Sequence, residues 1–143
     1  MVRDLEVSAQ AIMLALHPKW AEAILSGTKS VEVRRQAMHL DSGTSIVLYA
    51  TAPISRVLGL CRLDAVHRGP AEGLWRRFGT RTGLSRDAYL GYLAGADATC
   101  IELSDARRCE PAPLDFCPPQ SWMHLDGDRT EHRDLLRRLG GEA

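Results

Sequence analysis

The chain reads as an α+β protein, a small and partly open β-barrel with flanking helices. Three observations predict this. Strand-like segments outnumber helical ones, and the helices interrupt the strand order without alternating regularly with it. A length of 143 residues with 45% hydrophobic content suits one compact domain with a core, and is too short for two ordinary ones. The first residues are polar and mixed, so 1–11 reads as an N-terminal extension and 12–143 as the domain.

The elements follow in order. Ile12, Leu14 and Leu16 alternate with Met13, Ala15 and His17, which predicts a strand buried on at least one face. Pro18 suits the first helical position, where its missing N–H costs nothing. Trp20, Ala23 and Ile24 fall at helical spacing, so one side of Pro18–Ser26 packs while Lys19, Glu22 and Ser26 face out. Gly27 supplies the left-handed stop. Thr28 and Lys29 make a turn, and residues 30–35 read as a second strand.

Residues 36–43 form a loop. Ser45–Ala50 and 56–66 are rich in Ile, Val and Leu and read as strands, joined through 51–55 with Pro53 inside. A loop over 68–73 precedes a short helical turn at 74–78. Ser85 can cap a helix whose apolar stripe is Ala88, Tyr89, Tyr92 and Leu93, with Gly95 as its stop. Residues 98–103 alternate and lead into 106–109, a strand interrupted near Ser104 and Asp105. Four prolines in 110–119 argue against regular structure there. Residues 130–139 form a short amphipathic helix carrying Leu135, Leu136 and Leu139.

The formal net charge is zero, which excludes a global basic field for capturing nucleic acid. Local fields remain open, because arginines pair at 34 and 35, 76 and 77, 107 and 108, and 137 and 138. Sixteen basic residues are arginine and only Lys19 and Lys29 are lysine, so a lysine beside the Gly27 turn stands out. Cys61 and Cys100 sit in apolar runs as small core residues, whereas Cys109 and Cys117 flank a proline-rich turn and have no spacing that fixes a pair. A reduced, cytoplasmic protein is expected, with no membrane-spanning run. The five histidines are scattered without metal-ligand spacing, so neither a metal nor another cofactor is expected.

On the second strand Ser30, Glu32 and Arg34 share one face, opposite Val31 and Val33. With Lys29 they present a hydroxyl, a carboxylate and two cations. Such a face can bind a phosphate through Arg34 and Lys29, or a base edge through Glu32. It can equally be an ion pair that steadies a barrel mouth. Trp75 and Trp122 can stack on a base or cover the core. Tyr49 precedes the Ala-Thr-Ala-Pro turn and offers another cleft edge. Gln120 and Ser121 follow a double proline, on a stiff loop suited to base recognition or to closing the barrel.

The run from Pro18 to Arg35 (PKWAEAILSGTKSVEVRR) resembles the opening signature of ASCH domains, small β-barrel domains related to the PUA fold and commonly linked to RNA. In that family a G-x-K-x-x-E-x-R pattern borders a cleft, here Gly27, Lys29, Glu32 and Arg34. The likeness continues through 46–53 (IVLYATAP), 57–66 (VLGLCRLDAV), 73–75, 89–95 (YLGYLAG), 98–103 and 118–122 (PPQSW), and so covers residues 12–125. It implies a PUA-like barrel and a cleft that accepts a nucleotide, a nucleoside or single-stranded RNA.

Three functions follow as expectations. The first is RNA or nucleotide binding, extended to ribonuclease activity with Glu32 as base, Lys29 and Arg34 as cations and His17 as acid. The second is an amidohydrolase acting on N4-acylcytidine, as in one branch of the family. There a lysine works with a threonine three residues later and a glutamate near the second helix. Here the lysine is Lys29, the threonine position is Glu32, and Thr80-Arg81-Thr82-Gly83 holds no glutamate. Glu32 would push the Lys29 pKa up, against use of its amine. The third is a non-catalytic regulatory or interaction module, a homodimer through the C-terminal helix.

Overall fold

The fold is known from a computed structural model that describes residues 10–140. Most of the expected extension therefore lies outside the described residues, although Ala11 already belongs to the first strand. Six strands form one sheet: β1 (Ala11–Leu16), β2 (Val31–Arg34), β3 (Ser45–Ala50), β4 (Arg56–Gly69), β5 (Ala98–Ala112) and β6 (Trp122–Leu125). Four helices flank it: α1 (Pro18–Ser26), α2 (Ala71–Phe78), α3 (Arg86–Leu93) and α4 (Thr130–Gly140).

The strand order is β2-β5-β4-β3-β1-β6. Only β1 and β3 run parallel, which requires a crossover, and α1 with β2 lies in that connection. Because β2 pairs with β5 at one edge while β1 and β6 sit at the other, the sheet curls into a half-barrel. An open seam is left between β2 and β1. The mixed α+β class and partly open barrel expected from sequence are thus the observed architecture.

Three apolar clusters hold the sheet. Ile12, Leu14 and Leu16 of β1 pack with Ile46, Leu48, Leu63 and Ile101 beneath Ala21 and Ile24 of α1. The alternate β1 residues, Met13 and Ala15, pack with Val47, Tyr49 and Val57 against Leu135 of α4. Both faces of β1 are therefore buried, as its unbroken apolar run allows. Val31, Val33 and Cys100 meet Leu74 and Phe78 of α2 and Tyr89 and Leu93 of α3.

Local signals act where they were read. Gly27 caps α1 at φ 89°, and the Ser85 hydroxyl accepts the Ala88 N–H at 3.1 Å. Other expectations are corrected. The first strand ends at Leu16, since His17 caps α1. In α3, Tyr92 is exposed and the buried stripe is Tyr89 and Leu93. Strand β5 runs unbroken past Asp105, which takes φ 55°, and includes Pro111. The ladder shifts register between Gly59–Arg108 and Val57–Ala112, an irregularity at which a proline is tolerated. Strand β6 was not expected at all.

Candidate functional site

The turn after Gly27 sends Lys29 inward. Its side chain is almost wholly buried, and Nζ donates to the Thr82 carbonyl at 2.6 Å and lies 3.3 Å from Glu32 Oε1. The same nitrogen stands 5.2 Å from the centre of the Trp20 ring. The second carboxylate oxygen, Glu32 Oε2, accepts from Arg34 Nε at 2.7 Å. Arg34 then crosses the open seam: Nη1 donates to Ser121 Oγ and Nη2 to the Ala15 carbonyl, both at 3.0 Å. A continuous polar chain thus links the α2–α3 connection, β2, β1 and the entry to β6.

Above this chain lies an open cleft of about 360 Å³. Ala15, Leu16, His17 and Trp20 form one wall, Lys29, Glu32, Val33 and Arg34 the floor, and Leu84 with Tyr92 the far side. The cleft is the unclosed seam of the half-barrel. Its existence follows from β2 pairing with β5 instead of β1.

The charge balance explains the chemistry available. One carboxylate faces two cations, so with Lys29 protonated the network carries one excess positive charge in a desolvated place. Burial is the largest influence on Lys29 and lowers its pKa below the ordinary lysine value. The Glu32 carboxylate opposes this, and Arg34 adds to it. The expectation that Glu32 would set the direction is therefore corrected: desolvation outweighs it. A lysine so placed gives up its proton more readily than a surface lysine and can serve as base or nucleophile.

His17 reaches the cleft as the helix cap of α1. Its Nδ1 accepts the Lys19 N–H at 3.1 Å, so the proton of the neutral ring sits on Nε2. This makes the ring an N–H donor at the rim. Ser30 leaves the face it was expected to share: β2 starts at Val31, and the Ser30 hydroxyl accepts from Arg81 Nε at 2.9 Å. Tyr49 is buried in the second apolar cluster. Trp75 packs 4.8 Å from the Tyr89 ring and over Gly79. Trp122 pairs with Leu14 and packs on the first cluster, edge-on to His124 at 5.1 Å. Gln120 is exposed outside the cleft.

The structure therefore brings Lys29, Glu32, Arg34, Ser121 and His17 together, and leaves Ser30, Tyr49, Trp75, Gln120 and Trp122 elsewhere. Sequence reasoning missed Trp20, Thr82, Leu84 and Tyr92. Trp20 and Tyr92 were read as parts of apolar stripes, and Thr82 contributes a backbone carbonyl that no side-chain pattern announces. Among the described residues no group of three or more His, Cys, Asp or Glu is placed to hold a metal ion, and no helix is long and apolar enough to cross a membrane. All four cysteines are thiols, and burial pushes those of Cys61 and Cys100 up to about 12 and about 11.

Comparison with known proteins bears on the family and the fold. The family model of the ASCH domain matches residues 14–112. A protein of Zymomonas mobilis described as an ASCH domain-containing ribonuclease is 35% identical over 128 residues, which span 83% of this chain and 86% of that one. The crystal structure of ASCH from Zymomonas mobilis superposes with a TM-score of 0.81 at 33% identity, covering 90% of this chain and 96% of its own. A protein of Enterococcus faecalis, 13% identical with a TM-score of 0.51 over 63% of this chain and 68% of that chain, shares the fold alone.

Proposed function

The chain belongs to the ASCH domain family, and from that premise we propose that it is a metal-independent ribonuclease acting on single-stranded RNA in the seam cleft. The observation that carries this reading is the placing of a buried Lys29, whose pKa burial lowers, beside the Arg34 guanidinium on the floor of one open cleft. The description of the 35% identical Zymomonas protein as a ribonuclease supports it.

Cleavage needs a base for the 2′-hydroxyl and a cation for the phosphorane. Neutral Lys29 takes the 2′-proton as the 2′-oxygen attacks phosphorus. The bond from phosphorus to the 5′-oxygen breaks, and that oxygen takes a proton from water at the open mouth. The products are a 2′,3′-cyclic phosphate and a 5′-hydroxyl. Arg34 spends three of its five N–H donors on Glu32, Ser121 and Ala15 and keeps two for phosphate oxygens. In this reading Glu32, held by a cation at each oxygen, positions both cations, and Lys29 takes the part of base.

The lowered Lys29 amine also favours a second reading, an amidohydrolase on N4-acylcytidine. This reading lacks the family's threonine and glutamate partners at positions 32 and 80–83. One experiment separates the two. Wild type and Lys29→Met are given a short single-stranded RNA together with N4-acetylcytidine, and products are resolved by chromatography and mass spectrometry. Fragments ending in a cyclic phosphate, reduced about 100-fold or more in the variant, are expected. Released cytidine instead replaces the first reading with the second. No change in either substrate overturns both and leaves a non-catalytic module.

A further inference from the structure

Tyr92 is anomalous. It sits on α3 between Tyr89 and Leu93, which are fully buried, yet 45% of its own surface is exposed. Ile54 is the one other large hydrophobic side chain so exposed among the described residues. Tyr92 faces the mouth of the cleft, and the Arg35 guanidinium lies over its ring at 5.8 Å.

Arg35 itself has no carboxylate partner among the described residues, although its neighbour Arg34 is tied into the cleft floor. Its backbone is fixed in place: the Arg35 carbonyl accepts from Arg68 Nη1 at 2.7 Å, and the same nitrogen donates to Thr99 Oγ1 at 2.8 Å. Arg68, exposed and likewise without a carboxylate, continues the positive charge away from the cleft. An aromatic face and two uncompensated guanidiniums therefore run outward from the floor where Lys29 and Arg34 sit. Folding accounts for the two bonds that Arg68 Nη1 makes, but an exposed tyrosine ring and an Arg35 without a carboxylate contribute little to stability.

We propose that Tyr92 and Arg35 form a stacking platform for one unpaired nucleobase of the RNA, with Arg68 receiving the backbone phosphate beyond it. This rests on the single-stranded RNA reading above and deepens it. The base lies on the Tyr92 ring, which accepts any base because every base has a π-face, and Arg35 closes over it. Duplex RNA is excluded, because its bases are stacked and paired and cannot be splayed onto the ring.

The test uses a decamer of 2′-fluoro oligouridine carrying one 2-aminopurine, which resists cleavage through the 2′-oxygen and loses fluorescence on stacking. Wild type should bind it with quenching. Tyr92→Ala should abolish the quenching and weaken binding about fivefold or more, and Tyr92→Phe should restore both. Arg35→Gln should weaken binding by removing the cation over the base, and Arg68→Gln should flatten the salt dependence, as expected for a lost phosphate contact. Binding by wild type without quenching, or Tyr92→Ala equal to wild type, overturns the platform. Cleavage of unmodified RNA is measured alongside. If wild type cleaves and Tyr92→Ala cleaves with unchanged KM, the platform fails while the ribonuclease reading stands. If wild type neither binds nor cleaves, both fall.

Discussion

Lys29 Nζ lies 3.3 Å from Glu32 Oε1, and its pKa is nonetheless lowered, because burial outweighs the attraction. The pair differs from an ordinary salt bridge in having Arg34 on the other carboxylate oxygen at 2.7 Å. Arg34 gives Glu32 a second cationic partner, so Lys29 can lose its proton without leaving that carboxylate unpaired.

Replacing Glu32 with Gln removes the main influence that raises the Lys29 pKa, leaving only a smaller one from Cys100, and keeps those that lower it. The Lys29 titration, followed by the NMR shifts of Cε and Nζ, should therefore move to lower pH than in wild type. The rising limb of kcat/KM against pH should move with it if Lys29 is the base. A midpoint that stays put or rises contradicts the charge balance described here.

Stability should follow the number of groups left without a partner. Lys29→Met keeps the Glu32–Arg34 pair but leaves the Thr82 carbonyl and Glu32 Oε1 without their donor, and should cost about 2 kcal/mol. Arg34→Met breaks the bonds to Glu32, Ser121 and the Ala15 carbonyl together and should cost about 3 kcal/mol. Arg34→Lys should not rescue it, because a single ammonium cannot reach across the seam to three acceptors. Urea denaturation of the three variants checks the order, and equal losses would show that the seam is not held by Arg34.

How far the sequence foretold this arrangement depends on where each signal acts. Pro18, Gly27 and Ser85 were legible because each works through its own backbone or the next turn. The Lys29, Glu32 and Arg34 spacing was legible as motif and as strand face. Ser30 had the same periodicity but was drawn away by Arg81, a residue 51 positions distant. Strand β6 was illegible because Trp122, Met123, His124 and Leu125 do not alternate; pairing with β1 makes them a strand. The Thr82 carbonyl and the carbonyl of Ala15 are backbone acceptors, present at every residue and selected only by the fold.

Gly59 and Gly69 both lie in β4 but should respond oppositely to alanine. A Cβ at Gly59 would stand 2.3 Å from the Arg107 carbonyl oxygen and 2.7 Å from Leu25 Cδ2, at the contact between the long β4–β5 arm and α1. The backbone carbonyl cannot swing away, so Gly59→Ala should cost about 3 kcal/mol or more. A Cβ at Gly69 meets nothing within 4 Å, and Gly69→Ala should be neutral or stabilise by about 0.5 kcal/mol through the unfolded chain. Paired thermal melts test this; a tolerated Gly59→Ala would mean that the arm and α1 separate easily.

The docking of α4 should weaken in mild acid, through His132. This ring is 1% exposed, lies 4.6 Å from the Phe116 ring, and accepts the Asp126 N–H on Nδ1 at 2.9 Å. Its Nε2 is buried without a hydrogen-bond partner among the described residues. Burial lowers the pKa below 6.5 and Arg129 lowers it further, against smaller raising effects of Asp126 and Glu131. A proton on Nδ1 would also break the bond to Asp126. Above pH 6.5 the ring is neutral whether the chain is folded or not, and its contribution is constant. As pH falls through 6.5 toward the folded pKa, the unfolded chain binds the proton first and stability declines, by at most about 1.4 kcal/mol per pH unit for one proton. His132→Phe keeps the ring packing and removes the titration. It should lose about 1 kcal/mol at pH 7.5, where the Asp126 N–H loses its acceptor, and then show a shallower decline to pH 5 than wild type. Urea melts at both pH values decide the matter: parallel declines in the two proteins would place the acid sensitivity elsewhere.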